Sequence, residues 1–309
     1  MDHLQRYLAD EVAEDHTIGR LTRREALRRL SLLGLTSLGA SALLAACANA
    51  TDSSEDQPSA PPSPGEPETA RPLPSARSSD AIVTTEAITY PGRGVTLQGA
   101  FAAPTSSPRG AVMVIHENRG LSDFIRSITG RLAGDGYTAL AVDLLSAEGG
   151  TAAFADEAAI GPALTRLASE RSVDDMRSTL DELQRRQPAA KLAVIGFCFG
   201  GGMVWELLKD GDPRIAAAVP FYGPVADPDF SGSEAAVLAV YAEGDQRVNA
   251  TRDAAAAALE QAGLVHDIRT FPGVGHAFVR SIDDPADPAS GQARTAYETM
   301  LDWFARFLH

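Results

Sequence analysis

Cysteine is nearly absent from this sequence: 309 residues contain two, Cys47 and Cys198, in unlike surroundings. That count gives no disulfide framework. Histidine is sparse as well, with six residues at positions 3, 16, 116, 266, 276 and 309. None pairs with a cysteine at zinc-site spacing, which speaks against a structural metal. Basic residues are outnumbered, 27 against 41 acidic ones, for a formal charge of −14. A surface of that sign repels phosphate backbones, so nucleic acid is excluded as a partner. What the chain does have is apolar mass: 44% of its residues are hydrophobic, enough to bury a sizeable core.

That mass is unevenly placed. Residues 22–29 read Thr-Arg-Arg-Glu-Ala-Leu-Arg-Arg, and an uncharged Leu/Ala/Gly/Ser-rich run of 17 residues follows from Leu30 to Ala46. Arg23 and Arg24 ahead of a modestly apolar run resemble a twin-arginine export signal. The run closes on Leu44-Ala45-Ala46-Cys47, which resembles a lipobox. Residues 1–46 are therefore expected to be an export signal and Cys47 an acylated membrane anchor, leaving the protein exported and lipid-anchored on the periplasmic or extracellular side. Two other readings stay open: an uncleaved transmembrane helix of barely sufficient length, or a cleavage site with an incidental cysteine. Residues 47–79 are dense in Ser, Pro, Asp and Glu with few large apolar side chains. Such a segment cannot offset the entropy of ordering and is expected to be a disordered tether.

Residues 80–309 carry the folded domain. Ala81–Thr89 and Val95–Ala103 read as an antiparallel pair around Pro91-Gly92-Arg93-Gly94. Short apolar runs follow at 110–115, 137–142, 192–195, 215–220, 236–241 and 267–271. Helical patterns at 125–133 and 173–186 lie between them, and another closes the chain at 293–308. This alternation predicts an α/β fold: a mostly parallel, doubly wound sheet with helices on both faces.

One constellation carries chemistry. After the run at 192–195 the chain reads Gly196-Phe197-Cys198-Phe199-Gly200-Gly201-Gly202 and enters a helical pattern. This is a strand-to-helix nucleophile elbow with cysteine at its centre. No serine in the chain has glycine two residues away on both sides. A helix amino terminus just beyond Cys198 favours its thiolate, although a buried cysteine in a Gly-rich turn reads the same way. Asp245 follows the run at 236–241, and His276 sits on the Gly-rich loop after 267–271, so nucleophile, acid and base fall in the order this fold imposes. Asp143 and His116, also at strand ends, are rival assignments.

With Ile115-His116-Glu117-Asn118-Arg119-Gly120, Glu243-Gly244-Asp245 and Gly275-His276-Ala277-Phe278-Val279-Arg280, these motifs resemble the dienelactone hydrolase family over residues 80–309. The resemblance implies an α/β-hydrolase fold and a Cys198/Asp245/His276 triad that cleaves a small ester or lactone through a thioester. It implies that Glu117 controls the protonation of the nucleophile and that the backbone N–H groups of Phe199 and Asn118 form the oxyanion hole. It implies that Arg280 clamps a substrate carboxylate, and that no metal or organic cofactor takes part. The chain departs from the pattern at Asp143-Leu144-Leu145-Ser146-Ala147, where the chlorocatechol-pathway members carry a second clamping arginine. Arg119 is the one nearby candidate to replace it. Two further functions fit the same residues: a cysteine acyl hydrolase or peptidase on another acyl substrate, and a surface-displayed binding lipoprotein with a silent hydrolase fold. The segment from Ala147 to Arg171 is expected to form a small lid.

Overall fold

The computed structural model describes residues 3–17, 19–50, 81–167 and 169–309. The chain divides into two compact units, Met1–Pro74 with Asp156–Arg166, and Ser75–Ala155 with Leu167–His309.

The larger unit is built on one sheet. Among the described residues its strands are β1 (Glu86–Pro91), β2 (Thr96–Ala102), β3 (Ala111–Ile115), β4 (Thr138–Asp143), β5 (Leu192–Phe197), β6 (Ile215–Phe221), β7 (Ala236–Ala242) and β8 (His266–Phe271), in the order β1-β2-β4-β3-β5-β6-β7-β8. The pairings of β1 with β2 and of β2 with β4 are antiparallel, and the rest are parallel. Every residue of β3, β4, β5 and β7 is buried, which is why their sequences are unbroken apolar runs rather than alternating ones. The edge strands β1 and β8 expose most or part of theirs. Helices cover both faces, as expected.

The first strand begins five residues later than the pattern suggests. Ala81–Thr85 leaves the sheet edge to lie against the helix Asp123–Gly134, with Val83 N–H donating to Gly130 O at 3.0 Å. A Cβ at Gly134 would stand 1.9 Å from Ala81 O, so that helix needs glycine to admit the passing backbone.

In the smaller unit, α1 (His3–Thr17), α2 (Arg23–Leu32) and α3 (Ser37–Ala50) join a short helix, Ile160–Leu164, from the segment expected to be a lid. The side chains of Leu8, Ala26, Leu30, Leu33 and Leu44 are buried, and Arg28 pairs with Asp156. The apolar run Leu30–Ala46 is broken at Gly34, whose φ of +87° ends α2. No described helix is long and apolar enough to cross a membrane. From residue 51 to its end the expected tether lies outside the described residues.

Among the described residues the larger unit has five further helices. With the chain-order labels α4 for Asp123–Gly134 and α5 for Ile160–Leu164, they are α6 (Ser169–Arg186), α7 (Phe199–Asp210), α8 (Gln246–Asn249), α9 (Arg252–Gln261) and α10 (Ser290–Phe307). The closing helix α10 buries Ala293, Ala296, Tyr297, Met300, Leu301 and Phe304, a stripe at helical spacing. Each large member of such a stripe contributes about 1.5–3 kcal/mol. The sheet is thereby held as a rigid platform, and the ends of β3, β5, β6, β7 and β8 share its carboxyl edge.

Candidate active site

The elbow is tight because glycine makes it so. Cys198 connects β5 to α7 at φ +56° and ψ −117°, a conformation that L side chains rarely adopt. The chain can fold back this closely only without side chains beside it. A Cβ at Gly196 would stand 2.1 Å from Gly200 O, and one at Gly200 would stand 2.4 Å from Ile115 O. Cys198 N–H donates to Phe221 O at 3.0 Å, which pins the elbow to the end of β6. The cysteine is buried, and the sulfur sits at the amino end of a 12-residue helix, where partial positive charge favours a thiolate. Phe199 is the first residue of α7, so its amide is among those left without an intrahelical acceptor.

The loops after β7 and β8 are knitted together: Glu243 N–H donates to Phe271 O at 2.9 Å, Gly244 N–H to Val274 O at 2.9 Å, and Gly273 N–H to Glu243 Oε2 at 2.8 Å. This brings Asp245 and His276 face to face. His276 Nδ1 lies 2.5 Å from Asp245 Oδ2, while Asp245 Oδ1 accepts Val248 N–H at 3.2 Å and caps α8. With Nδ1 engaged, Nε2 is the nitrogen left for the sulfur. Cys198 Sγ and His276 are within 4.8 Å and share a side-chain hydrogen bond.

The electrostatics are those of an ion pair held in a dry site. Burial pushes the His276 imidazole down, but the charge on Cys198 and the hydrogen bonds His276 makes with Asp245 and Cys198 outweigh it, lifting His276 well above the ordinary histidine range. Burial pushes the Asp245 carboxyl up, and the His276 contact, Arg247 and the Val248 amide overcome it, leaving the group below its usual value.

Glu117 stands just past β3, buried, and accepts a hydrogen bond from Arg280 Nη1 at 2.9 Å. Arg280 rides on a short 3-10 turn, Phe278–Ser281, four residues beyond His276, and its guanidinium also lies over the Phe124 ring at 5.6 Å. Asn118 and Arg119 are half-buried on the Glu117 loop. It is Arg280 and not Arg119 that pairs with Glu117.

The rivals are occupied elsewhere. His116 gives Nδ1 to Glu117 O at 2.7 Å and accepts Leu144 N–H on Nε2 at 3.2 Å, and burial pushes its pKa down, so it is neutral. Asp143 accepts from Leu145 N–H at 3.1 Å, and from Thr151 N–H and Oγ1–H at 2.6 and 2.9 Å. Thr151 Oγ1 in turn accepts Leu121 N–H at 2.9 Å. These two residues brace the loops after β3 and β4. Leu144 and Leu145 are fully buried, and Ala147, at the place of the missing arginine, is exposed, so this segment puts no cation there.

One residue of the site was not foreseen. Tyr222, directly after β6, is fully buried with its ring edge-on to His276 at 5.2 Å. A polar aromatic immediately beyond a parallel strand, in Pro220-Phe221-Tyr222-Gly223, was the available signal.

A nucleophile on a strand-to-helix elbow, with an acid and a histidine on later loops of the same sheet edge, is the architecture of the α/β-hydrolases, here with cysteine on the elbow. Residues 97–308 match the sequence model of the Dienelactone hydrolase family, and the chain belongs to that family. It is 28% identical over 247 residues to a Salmonella typhi protein provisionally named a carboxymethylenebutenolidase, covering 74% of this chain and 89% of that one. It is 30% identical over 234 residues to the protein usf of Aquifex pyrophilus, covering 72% and 98%. Among solved structures it resembles a dienelactone hydrolase-like promiscuous phosphotriesterase from metagenomic libraries, at 25% identity and a TM-score of 0.62, over 74% of this chain and all of the other. The protein is thus a hydrolase of this family with a cysteine, histidine and acid clustered at its sheet edge.

Proposed function

We propose that the protein hydrolyses small esters or lactones by way of a thioester on Cys198. The observation that carries this reading is the continuous contact from Cys198 to His276 and from His276 Nδ1 to Asp245 Oδ2 at 2.5 Å. The thiolate attacks the carbonyl carbon, and the new oxyanion is held by the backbone N–H groups of Phe199 and Asn118. Collapse expels the alkoxide oxygen, which takes the Nε2 proton of His276, an imidazolium at rest because its pKa stands well above the ordinary histidine range. Water then gives a proton to the same nitrogen as it attacks the thioester, and the acid leaves as the sulfur is released. Asp245 keeps the imidazole in the required tautomer throughout. Glu117 holds the resting thiol beside its pair with Arg280, takes the thiol proton when an incoming substrate draws Arg280 away, and returns it to the sulfur once the acid has left. A lactone fits the provisional name of the Salmonella relative. Ala147 in place of the second arginine, with Arg280 paired to Glu117, favours substrates less dependent on a double carboxylate clamp, with Arg119 available to supplement Arg280.

The export reading belongs to the same proposal: residues 1–46 direct export, Cys47 is acylated, and residues 47–79 tether the domain 80–309 to the membrane. The Arg23-Arg24 pair and the Leu44-Ala45-Ala46-Cys47 ending support it. Radiolabelled palmitate incorporated by the wild type and lost in Cys47→Ser is the expected result in a bacterial host. Equal labelling of both would refute the anchor.

Hydrolysis of p-nitrophenyl acetate and of a dienelactone by the wild type and by Cys198→Ala tests the chemistry. Turnover is expected to vanish in a variant that stays folded. Turnover surviving in it would end the thioester mechanism, and a wild type inert to both esters with a sluggish thiol would favour a binding lipoprotein.

A further inference from the structure

Tyr222 has no part in the reaction as written, yet it is held like a residue that does. Its φ is +39°, and among the described residues only Cys198, Asp227 and Ala277 share a positive φ without being glycine. Two of those three are the nucleophile and the neighbour of His276. Residues in sparsely populated backbone conformations persist where the surroundings enforce them, and they cluster at working sites. The surroundings here are explicit. Tyr222 N–H donates to Val240 O at 2.7 Å, and the ring is packed by Phe197 at 6.2 Å, Phe278 at 5.7 Å and His276 at 5.2 Å.

The hydroxyl at the end of this wedged ring is buried and makes no hydrogen bond. Buried hydroxyls are seldom left that way. Burial, reinforced by Glu117 and Cys198, keeps it protonated far above the ordinary tyrosine range, so it is a proton donor at neutral pH. The charged groups in its electrostatic reach are Glu117, Cys198, Arg280 and Asp245. Both carboxylates are present at rest and the hydroxyl bonds to neither: Arg280 takes Oε2 of Glu117, and His276 and Val248 take Asp245. A thiol sulfur is a weak acceptor, whereas a thiolate accepts a charge-assisted bond. The one acceptor that appears only during the reaction is therefore the sulfur of Cys198.

We propose that Tyr222 is a further catalytic residue, whose hydroxyl donates a hydrogen bond to the Cys198 sulfur each time that atom carries negative charge. This happens on the thiolate before attack, and again on the thiolate expelled when water cleaves the thioester. The proton stays on the tyrosine oxygen throughout, and no bond to it is made or broken. The inference rests on the thioester reading above.

The test uses the full chain and its Tyr222→Phe variant, with Cys198 alkylation by iodoacetamide followed against pH and p-nitrophenyl acetate turnover measured alongside. Losing one charge-assisted bond is expected to raise the apparent thiolate pKa by about one unit and to slow turnover about tenfold. Thermal unfolding, which a merely structural role would shift, is expected to stay put. Site-specific replacement of Tyr222 by 2,3-difluorotyrosine, a stronger donor of nearly the same shape, is expected to move the thiolate pKa the other way, and decides the matter if the phenylalanine variant fails to fold. A thiolate pKa that does not rise in the phenylalanine variant overturns the proposal. So does one that the fluorinated residue leaves unmoved. Cys198→Ala separates the two levels: if it abolishes turnover while Tyr222→Phe changes nothing, the thioester reading stands and only this inference falls.

Discussion

Asp245→Asn keeps the shape of a fully buried side chain and removes its charge. The wild-type carboxylate serves two partners at once, His276 Nδ1 at 2.5 Å and Val248 N–H at 3.2 Å. In the variant the carbonyl oxygen goes to the Val248 amide, which needs an acceptor, and the amide nitrogen is turned toward His276. Nδ1 must then accept, so the single proton of a neutral imidazole moves to Nε2, the position where a lone pair is required to take the proton of the attacking water. A charge-assisted hydrogen bond contributes about 1.5–3 kcal/mol, roughly 10- to 150-fold in rate, and the wrong tautomer adds to that. The same exchange in a serine triad costs about 10⁴-fold. A thiol, already a few per cent ionised near neutrality, depends less on its base. The expected fall in kcat is therefore about 10²- to 10³-fold, between these limits.

The pH dependence has a definite sign. Burial lowers the His276 pKa while Cys198 and Asp245 raise it, and the raising contributions win. Without the aspartate charge the imidazolium is lost at lower pH, and the thiolate loses its counter-ion. Alkylation of Cys198 should then need a higher pH than in the wild type. Steady-state p-nitrophenyl acetate kinetics and iodoacetamide alkylation, each followed from acid to alkaline pH, measure both effects. An unchanged kcat with an unchanged alkylation profile would remove Asp245 from the mechanism.

Gly200→Ala places a Cβ 2.4 Å from Ile115 O and 2.6 Å from His116 O. The backbone must yield at a cost of about 1–3 kcal/mol, read as a lower Tm by calorimetry, and an unchanged Tm would show that the elbow is looser than described. Arg280→Ala leaves the buried Glu117 carboxylate without its arginine. Because Arg280 is 35% exposed, the loss on urea unfolding is expected at about 2 kcal/mol, below the range for a fully buried pair. Adding Glu117→Gln should restore most of it, and no recovery in the double variant would mean that the ion pair is not the cause. Asp175 is buried on α6 with its carboxyl pushed up to about 6, mainly by burial, with Arg171 opposing and Asp174 and Glu148 adding to it. A raised folded pKa means that the folded state holds its proton more tightly, so stability falls as pH rises from about 4 through the folded value. Asp175→Asn should accordingly unfold at higher urea than the wild type above pH 6 and match it near pH 4, and a gain that does not depend on pH would refute the assignment.

The strands were legible because a parallel sheet covered on both faces needs continuous apolar runs, and those runs stand out between helical patterns. The start of β1 was not, because the alternation continues through Ala81–Thr85 while a tertiary contact with Gly130 and Gly134 draws that stretch away. The cluster of Cys198, Asp245 and His276 could be read from order and spacing, since the elbow imposes its glycines locally. Choosing His276 over His116, and Asp245 over Asp143, was a different problem. Both members of each pair end a strand, and what separates them is which polar atoms are already used. His116 spends both nitrogens on backbone groups, and Asp143 spends its oxygens on the Thr151 loop. That accounting exists only in three dimensions. Tyr222 offered only its place just past β6, because neither a positive φ nor an unsatisfied hydroxyl leaves a mark on the sequence.

Strain and close packing at this site are two aspects of one construction. Cys198, Tyr222 and Ala277 each hold a positive φ, and isolated residues would relax out of it. They are prevented by backbone hydrogen bonds: Cys198 N–H on Phe221 O and Tyr222 N–H on Val240 O across neighbouring segments, and Arg280 N–H on Ala277 O within one turn. Phe221 thus anchors the nucleophile while the next residue turns its ring against the base, so the end of β6 couples the two. A small displacement of β6 would move sulfur and hydroxyl together and leave their mutual distance nearly intact. Substitutions that shift the strand as a unit should therefore be tolerated better than those that alter one loop against another. By this logic Gly201 and Gly223 are the sensitive points, since a Cβ on Gly223 would come within 2.1 Å of the Gly201 carbonyl carbon and push β6 away from the elbow.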